Sequence, residues 1–154
     1  MSRIIGTIAQ LQGELTAIAI ELVAASVYEK IDFTPPEGAK KAAERGMELR
    51  SKFGRGGMSE SEAGDQGIWS GVKTARALRS GKAISPELVR RMNRYFTRHQ
   101  KDKDAKGSDS AGYWGNPSNP SAGYIAWLLW GGDAANSWSG KVIRQMESAE
   151  EKAG

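Results

Sequence analysis

From Ile4 onward, apolar side chains recur at Ile4, Ile8, Leu11, Leu15, Ile18, Leu22 and Ala25, in alternating steps of four and three. That is a heptad seam, and it predicts one long helix from Ser2 to about Ile31. Ile5, Ile20, Val23 and Val27 broaden the apolar surface beyond a two-stranded seam, while Gln10, Gln12, Glu14 and Glu21 interrupt each apolar run. No stretch of about 18 residues is therefore apolar enough to cross a bilayer, and no signal-peptide pattern stands out. The basic polar face that membrane-surface attachment requires is also missing. A helix of roughly 30 residues is about 45 Å long, against a radius of gyration of about 15 Å for a domain of this size. It either lies within the monomer or meets copies of itself. Ile4, Ile8, Leu11, Leu15, Ile18 and Leu22 are the candidate self-association residues.

The pattern then changes to shorter amphipathic segments with punctuation between them. Thr34-Pro35-Pro36-Glu37 reads as a helix start, with Thr34 as N-cap, Pro35 at the first helical position and Glu37 completing a capping box. This second helix carries Ala39, Ala42, Ala43, Met47 and Leu49 to about Phe53, where Gly54-Arg55-Gly56-Gly57 stops it. A third spans Gly67 to Arg79 with Ile68, Val72, Ala75 and Leu78 inward and Gly81 just past its end. Ser85-Pro86-Glu87 opens a fourth, which runs to about Lys103 with Leu88, Val89, Met92, Tyr95, Phe96 and His99 on its apolar side. Residues 104–120 read as a loop, with Tyr113 and Trp114 pinning it to the body or lining a surface. Ser121 caps a very apolar helix, Tyr124 to Trp130, and Asp133 caps the last one after Gly131-Gly132. No useful strand alternation occurs, so the expected fold is all-α: a long N-terminal helix plus a compact bundle of four or five helices with a Trp-rich core. The divisions are 1–33, 34–146 and a polar tail, 147–154, that frays.

Composition narrows the chemistry. The 154 residues include no cysteine and one histidine, which excludes disulfides, thiolate metal sites and Cys nucleophiles. A formal charge of +4 conceals an asymmetry. Residues 34–103 hold 16 basic and eight acidic side chains, net +8, while 1–33 and 104–154 are each net −2. Basicity confined to the middle of a chain speaks about partners. Arg90, Arg91, Arg94, Arg98 and Lys101 are expected on one side of the fourth helix, opposite Leu88, Met92, Tyr95 and Phe96. Lys73, Arg76 and Arg79 form a second strip on the third. Forked guanidinium donors suit phosphate, so these eight are the candidate polyanion contacts; the alternative is a solvated face. Helix three, Ser80-Gly81-Lys82 and helix four suggest a helix–turn–helix, but the connection is long and only Asn93 and Gln100 could read bases.

Other candidates have plainer readings. Gly-Arg-Gly-Gly at 54–57 lacks the Lys-Ser/Thr ending and preceding strand of a phosphate-binding loop, and reads as a helix C-cap and turn. His99 reads as a packed or surface residue, since Asp102, Asp104 and Asp109 enforce no metal geometry. Trp127, Trp130 and Trp138 surround the Gly131-Gly132 turn and read first as core side chains, with Asp133 or nearby carbonyls to accept their indole N–H groups; the alternative is a stacking platform for bases or sugars. No catalytic residue, metal ligand or cofactor is expected.

Several runs together carry a resemblance: Lys40-Lys41-Ala42-Ala43-Glu44-Arg45-Gly46, Lys52 to Gly57, Gly71-Val72-Lys73-Thr74-Ala75-Arg76, Ile84 to Met92, and Tyr124 to Ala134. The chain resembles, over about residues 34–146, a small helical module of bacteriophage-encoded proteins, many of them virion or head-assembly proteins. It departs where Ala135 and Asn136 replace an expected second small residue. The resemblance implies a phage origin and an all-helical module, and it brings no catalytic residues. The expectation is a non-enzymatic virion or head-assembly protein, in the virion or the host cytoplasm. It would form homo-oligomers through its N-terminal helix and turn a basic face to nucleic acid or an acidic protein surface. The alternative is a small nucleic-acid or nucleotide binder acting on host processes.

Overall fold

Three serines set the frame. Ser70, Ser85 and Ser121 each stand in extended conformation before a helix, and each hydroxyl accepts the backbone N–H three residues on, from Lys73, Leu88 and Tyr124. These bonds, 3.0, 3.1 and 3.2 Å long, satisfy amides that the helix itself leaves unpaired. The computed structural model describes residues 11–15, 18, 26–57 and 69–154. Its α-helices include α1 (Glu37–Phe53), α2 (Gly71–Arg79), α3 (Pro86–His99), α4 (Ala122–Leu129) and α5 (Gly132–Ala153), and a 3₁₀ turn, Gln100–Asp104, continues α3; the described residues 11–15, 18 and 26–27 are also helical. Among the described residues the only strand-like pairings are isolated bridges, Ser108 with Gly112 and Tyr113 with Pro120. The fold is all-α.

The chain divides into two units, residues 32–143 and residues 1–31 with 144–154. In the first, α1 packs against α2 and α4, and α4 also meets α2, α3 and the 3₁₀ turn. The buried face of α1 is built from small residues, Ala39, Ala43 and Gly46, before Leu49. A Cβ on Gly46 would stand 2.8 Å from the backbone nitrogen of Leu129, so hydrogen is the only side chain that lets α1 approach α4 this closely. α4 is apolar nearly all round, as suits a helix covered by neighbours, and buries Ile125, Trp127 and Leu129. Leu78, Leu88, Val89, Met92 and Phe96 are also buried in the core. Between α4 and α5 the backbone turns through Gly131 and Gly132 at φ +106° and +64°, a conformation that side-chain-bearing residues avoid.

Trp127 is the largest fully buried side chain. Its indole N–H donates to Asp133 Oδ1 at 2.9 Å, and Lys103 Nζ donates to the same oxygen at 2.8 Å. The Lys103 hydrogen bond holds the Asp133 carboxyl below the usual carboxylate range. Asp133 therefore serves the tryptophan from the first turn of α5, rather than capping that helix as its position suggests.

Two further expectations change. Thr34 does not cap α1; its N–H donates to Asp32 Oδ1, and the helix begins at Glu37 after an extended Pro36. A residue before proline is driven out of the helical region, and consecutive prolines apply that restriction to Thr34 and Pro35 in turn. Residues 147–153, expected to fray, belong to α5. The third helix starts at Gly71, while Gly67 and Ile68 lie outside the described residues.

The loop after the 3₁₀ turn is tied down by Arg55. Its guanidinium donates to Asn119 Oδ1 at 2.7 Å, to the Pro120 carbonyl at 2.9 Å and to the Ser110 carbonyl at 3.0 Å. Gly54 caps α1 in the left-handed conformation, so the Gly-Arg-Gly-Gly run is the expected C-cap, with Arg55 clamping the loop. Trp114 sets its ring edge-to-face with Tyr124 and Trp127 at 5.3 and 5.6 Å.

In the second unit, Tyr28 is buried and its hydroxyl donates to Glu150. The predicted helix over 2–31 lies for the most part outside the described residues, as do Ile4, Ile8 and Leu22. The described seam residues Leu11, Leu15 and Ile18 are 52%, 65% and 51% exposed. No helix among the described residues is long and apolar enough to cross a membrane.

Candidate nucleic-acid interface

A cleft of about 630 Å³ opens within residues 57–130. One wall is α3, which contributes Arg91, Arg94, Tyr95, Arg98 and His99. The opposite side is formed by Trp69, Ser70 and Gly71 at the start of α2, and by Ala122 and Gly123 at the start of α4, with Trp130 between. A helix start carries unpaired N–H groups and partial positive charge, so both ends add to the field of the three arginines.

The aromatic side chains are arranged in order. Tyr95 stacks on Trp130 with ring centroids 4.5 Å apart and planes 7° from parallel, and on His99 at 4.6 Å and 29°. Burial, followed by the charge of Asp102, pushes the Tyr95 phenol above its ordinary range, so it stays neutral. His99 Nδ1 donates to Asp102 Oδ2 at 2.9 Å, since an ionised carboxylate accepts. That bond fixes the imidazole plane against Tyr95. Trp69 donates its indole N–H to Thr74 Oγ1 at 2.7 Å, and Thr74 is fully buried. Lys73 Nζ lies 4.1 Å and Arg91 Cζ 5.3 Å from the centre of the Trp69 ring.

Charge balance favours anions. Glu87 offers its carboxylate to Arg90, Arg91 and Arg94 at 3.8, 3.4 and 3.4 Å. These are exposed pairs, a class whose median stabilisation is about 0–1 kcal/mol, so a phosphate can replace the carboxylate at little cost. Among the described residues the cleft has three guanidinium groups against the Asp102 carboxylate. Among the described residues no group of three His, Cys, Asp or Glu could hold a metal ion.

Of the eight predicted polyanion contacts, Arg91, Arg94 and Arg98 line the cleft and Lys73 reaches it through the Trp69 ring. Arg76, Arg79, Arg90 and Lys101 do not line it. Asn93 and Gln100, the base-reading candidates, are also absent from its described lining, and residues 80–85 connect α2 to α3. Tyr95, expected opposite the arginines, stands among them. At 100° per residue it lies about 40° from Arg91 and about 60° from Arg98, so the helical wheel itself held the signal. The role of Trp69 and the His99–Asp102 pair depend on tertiary placement or side-chain geometry and had no clear sequence signature.

Compared with protein-family models, curated proteins and solved structures, the chain gives no significant match.

Proposed function

We propose that this chain is a non-enzymatic nucleic-acid-binding protein whose cleft beside α3 takes the phosphate backbone. The observation that carries the reading is the convergence of Arg91, Arg94 and Arg98 with Trp69, Tyr95 and Trp130 in one concavity. Guanidinium groups meet phosphate oxygens in pairs, and aromatic rings offer bases a face to stack on. An acidic protein surface, the other expected partner, uses the charges and leaves the rings without a role. The resemblance of its motif series to phage modules supports, as part of this proposal, a virion or head-assembly setting, in the virion or the host cytoplasm.

The test is the salt dependence of binding to a fluorescent single-stranded oligonucleotide. Three phosphate contacts predict a slope of log affinity on log salt of about −2. An affinity unchanged between low and high salt counts against the cleft as a phosphate site.

Self-association through the N-terminal seam is part of the same proposal. Its support is that Leu11, Leu15 and Ile18, at heptad spacing, each leave more than half their surface exposed. Exposed apolar residues in a seam favour burial against a second copy. Light scattering at tens of micromolar is expected to give a mass above the 16.6 kDa of one chain. A monomer at that concentration contradicts this part of the reading.

A further inference from the structure

We infer that the cleft selects unpaired nucleotides, with a base stacking on the ring of Trp69 and the adjoining phosphates on Arg91, Arg94 and Arg98. This rests on the nucleic-acid reading above and adds the class of ligand: single strands over duplex.

Shape gives the first reason. The cleft, about 630 Å³, falls within the range of about 300–1,000 Å³ typical of sites that engulf a small ligand. In a duplex the faces of each base are covered by its stacked neighbours, and its phosphates lie on a convex surface. A concave site with rings and guanidinium groups side by side suits a strand whose bases are free to turn inward.

The ring is prepared for such a contact. Trp69 is only half-buried, yet its indole N–H is held by the buried Thr74 hydroxyl, so its plane is fixed before any ligand arrives. Lys73 and Arg91 now lie over the Trp69 ring, so a stacking base takes the place of a cation there, and the displaced cation moves onto the phosphate of the same nucleotide. On α3, Arg91 and Arg98 are seven residues apart, about 10 Å along the axis, with Arg94 between them. They form a row that follows a backbone, rather than a point that grips one ion.

Stacking tolerates every base because each has a π-face.

The experiment is a competition in which a fluorescent single strand is displaced by unlabelled single strand, by a blunt duplex of the same length, and by inorganic polyphosphate. The wild-type chain should prefer single strand to duplex by about tenfold or more. Trp69→Ala should weaken the single strand about tenfold while leaving polyphosphate within about twofold, and Trp69→Phe, which keeps a ring, should recover most of the loss. Equal affinity for duplex and single strand overturns the inference and leaves the phosphate site standing. Equal weakening of strand and polyphosphate by Trp69→Ala also overturns it, because the ring then only positions Arg91. Failure of the wild-type chain to bind both strand and polyphosphate overturns the nucleic-acid reading itself. The wild-type comparison needs no variant, so misfolding of Trp69→Ala would leave the test intact.

Discussion

Trp127→Ala is expected to destabilise the fold by about 3–5 kcal/mol, the range for emptying a buried aromatic site. Trp127 is only 2% exposed and has Phe96 edge-on at 4.8 Å, Trp114 at 5.6 Å and Lys103 over its ring at 4.5 Å. Alanine removes the surface that α3, α4 and the 105–121 loop share, and it strips Asp133 of one of its two donors. For a chain of this length, each kcal/mol moves the midpoint by about 2–4 °C, so a loss on the order of 10 °C should appear in thermal denaturation followed by far-ultraviolet circular dichroism. Trp127→Phe keeps one aromatic ring but loses the indole N–H and the rest of the second ring, and should cost about 1–2 kcal/mol. A Trp127→Ala cost below about 1 kcal/mol would mean that the core is not organised around this ring.

The helical class and much of the core were legible because they depend on neighbours in the chain. Ser85 and Ser121 occupy the cap positions expected of them, since a cap bond spans only three residues. Leu88, Val89, Met92 and Phe96 face inward as their spacing predicts. The errors arise where a second local rule or a distant group intervenes. Consecutive prolines override the Thr34 capping box. Asp133 is drawn away from capping by Trp127 and Lys103, the latter 30 positions earlier in the chain.

The cleft was half legible. A row of arginines on α3 is readable at helical spacing, and it supplies the charged wall. The opposite wall joins Trp69, Gly71 and Gly123, which no periodicity connects; close packing of helices brings them together. A Cβ on Gly71 would stand 3.0 Å from the Trp130 indole nitrogen, so that packing depends on a missing side chain at the start of α2. Arg55 shows the same limit: its sequence context suggests a turn, whereas its three bonds to the loop appear only in the folded chain.

The largest functional effect is expected from removing the arginine row. Arg91, Arg94 and Arg98 line the cleft, and Glu87, which pairs with Arg91 and Arg94, is exposed, so their substitution leaves the hydrophobic core intact. Hydrogen bonds to charged groups contribute about 1.5–3 kcal/mol each, and even partial loss of three should weaken binding by about 100-fold or more. Charge alone also attracts nucleic acid, so the comparison needs a second triple variant with the same change in net charge. Arg79, Lys82 and Lys101 are exposed and lie outside the cleft lining.

The decisive measurement is therefore a fluorescence-anisotropy titration of a labelled single-stranded oligonucleotide with the wild-type chain and both alanine triples, at one salt concentration and with helical content checked. The cleft account predicts a loss of about 100-fold or more for Arg91, Arg94 and Arg98 together, and less than about fivefold for Arg79, Lys82 and Lys101. Equal losses in the two triples, or unchanged binding without the cleft arginines, would contradict it.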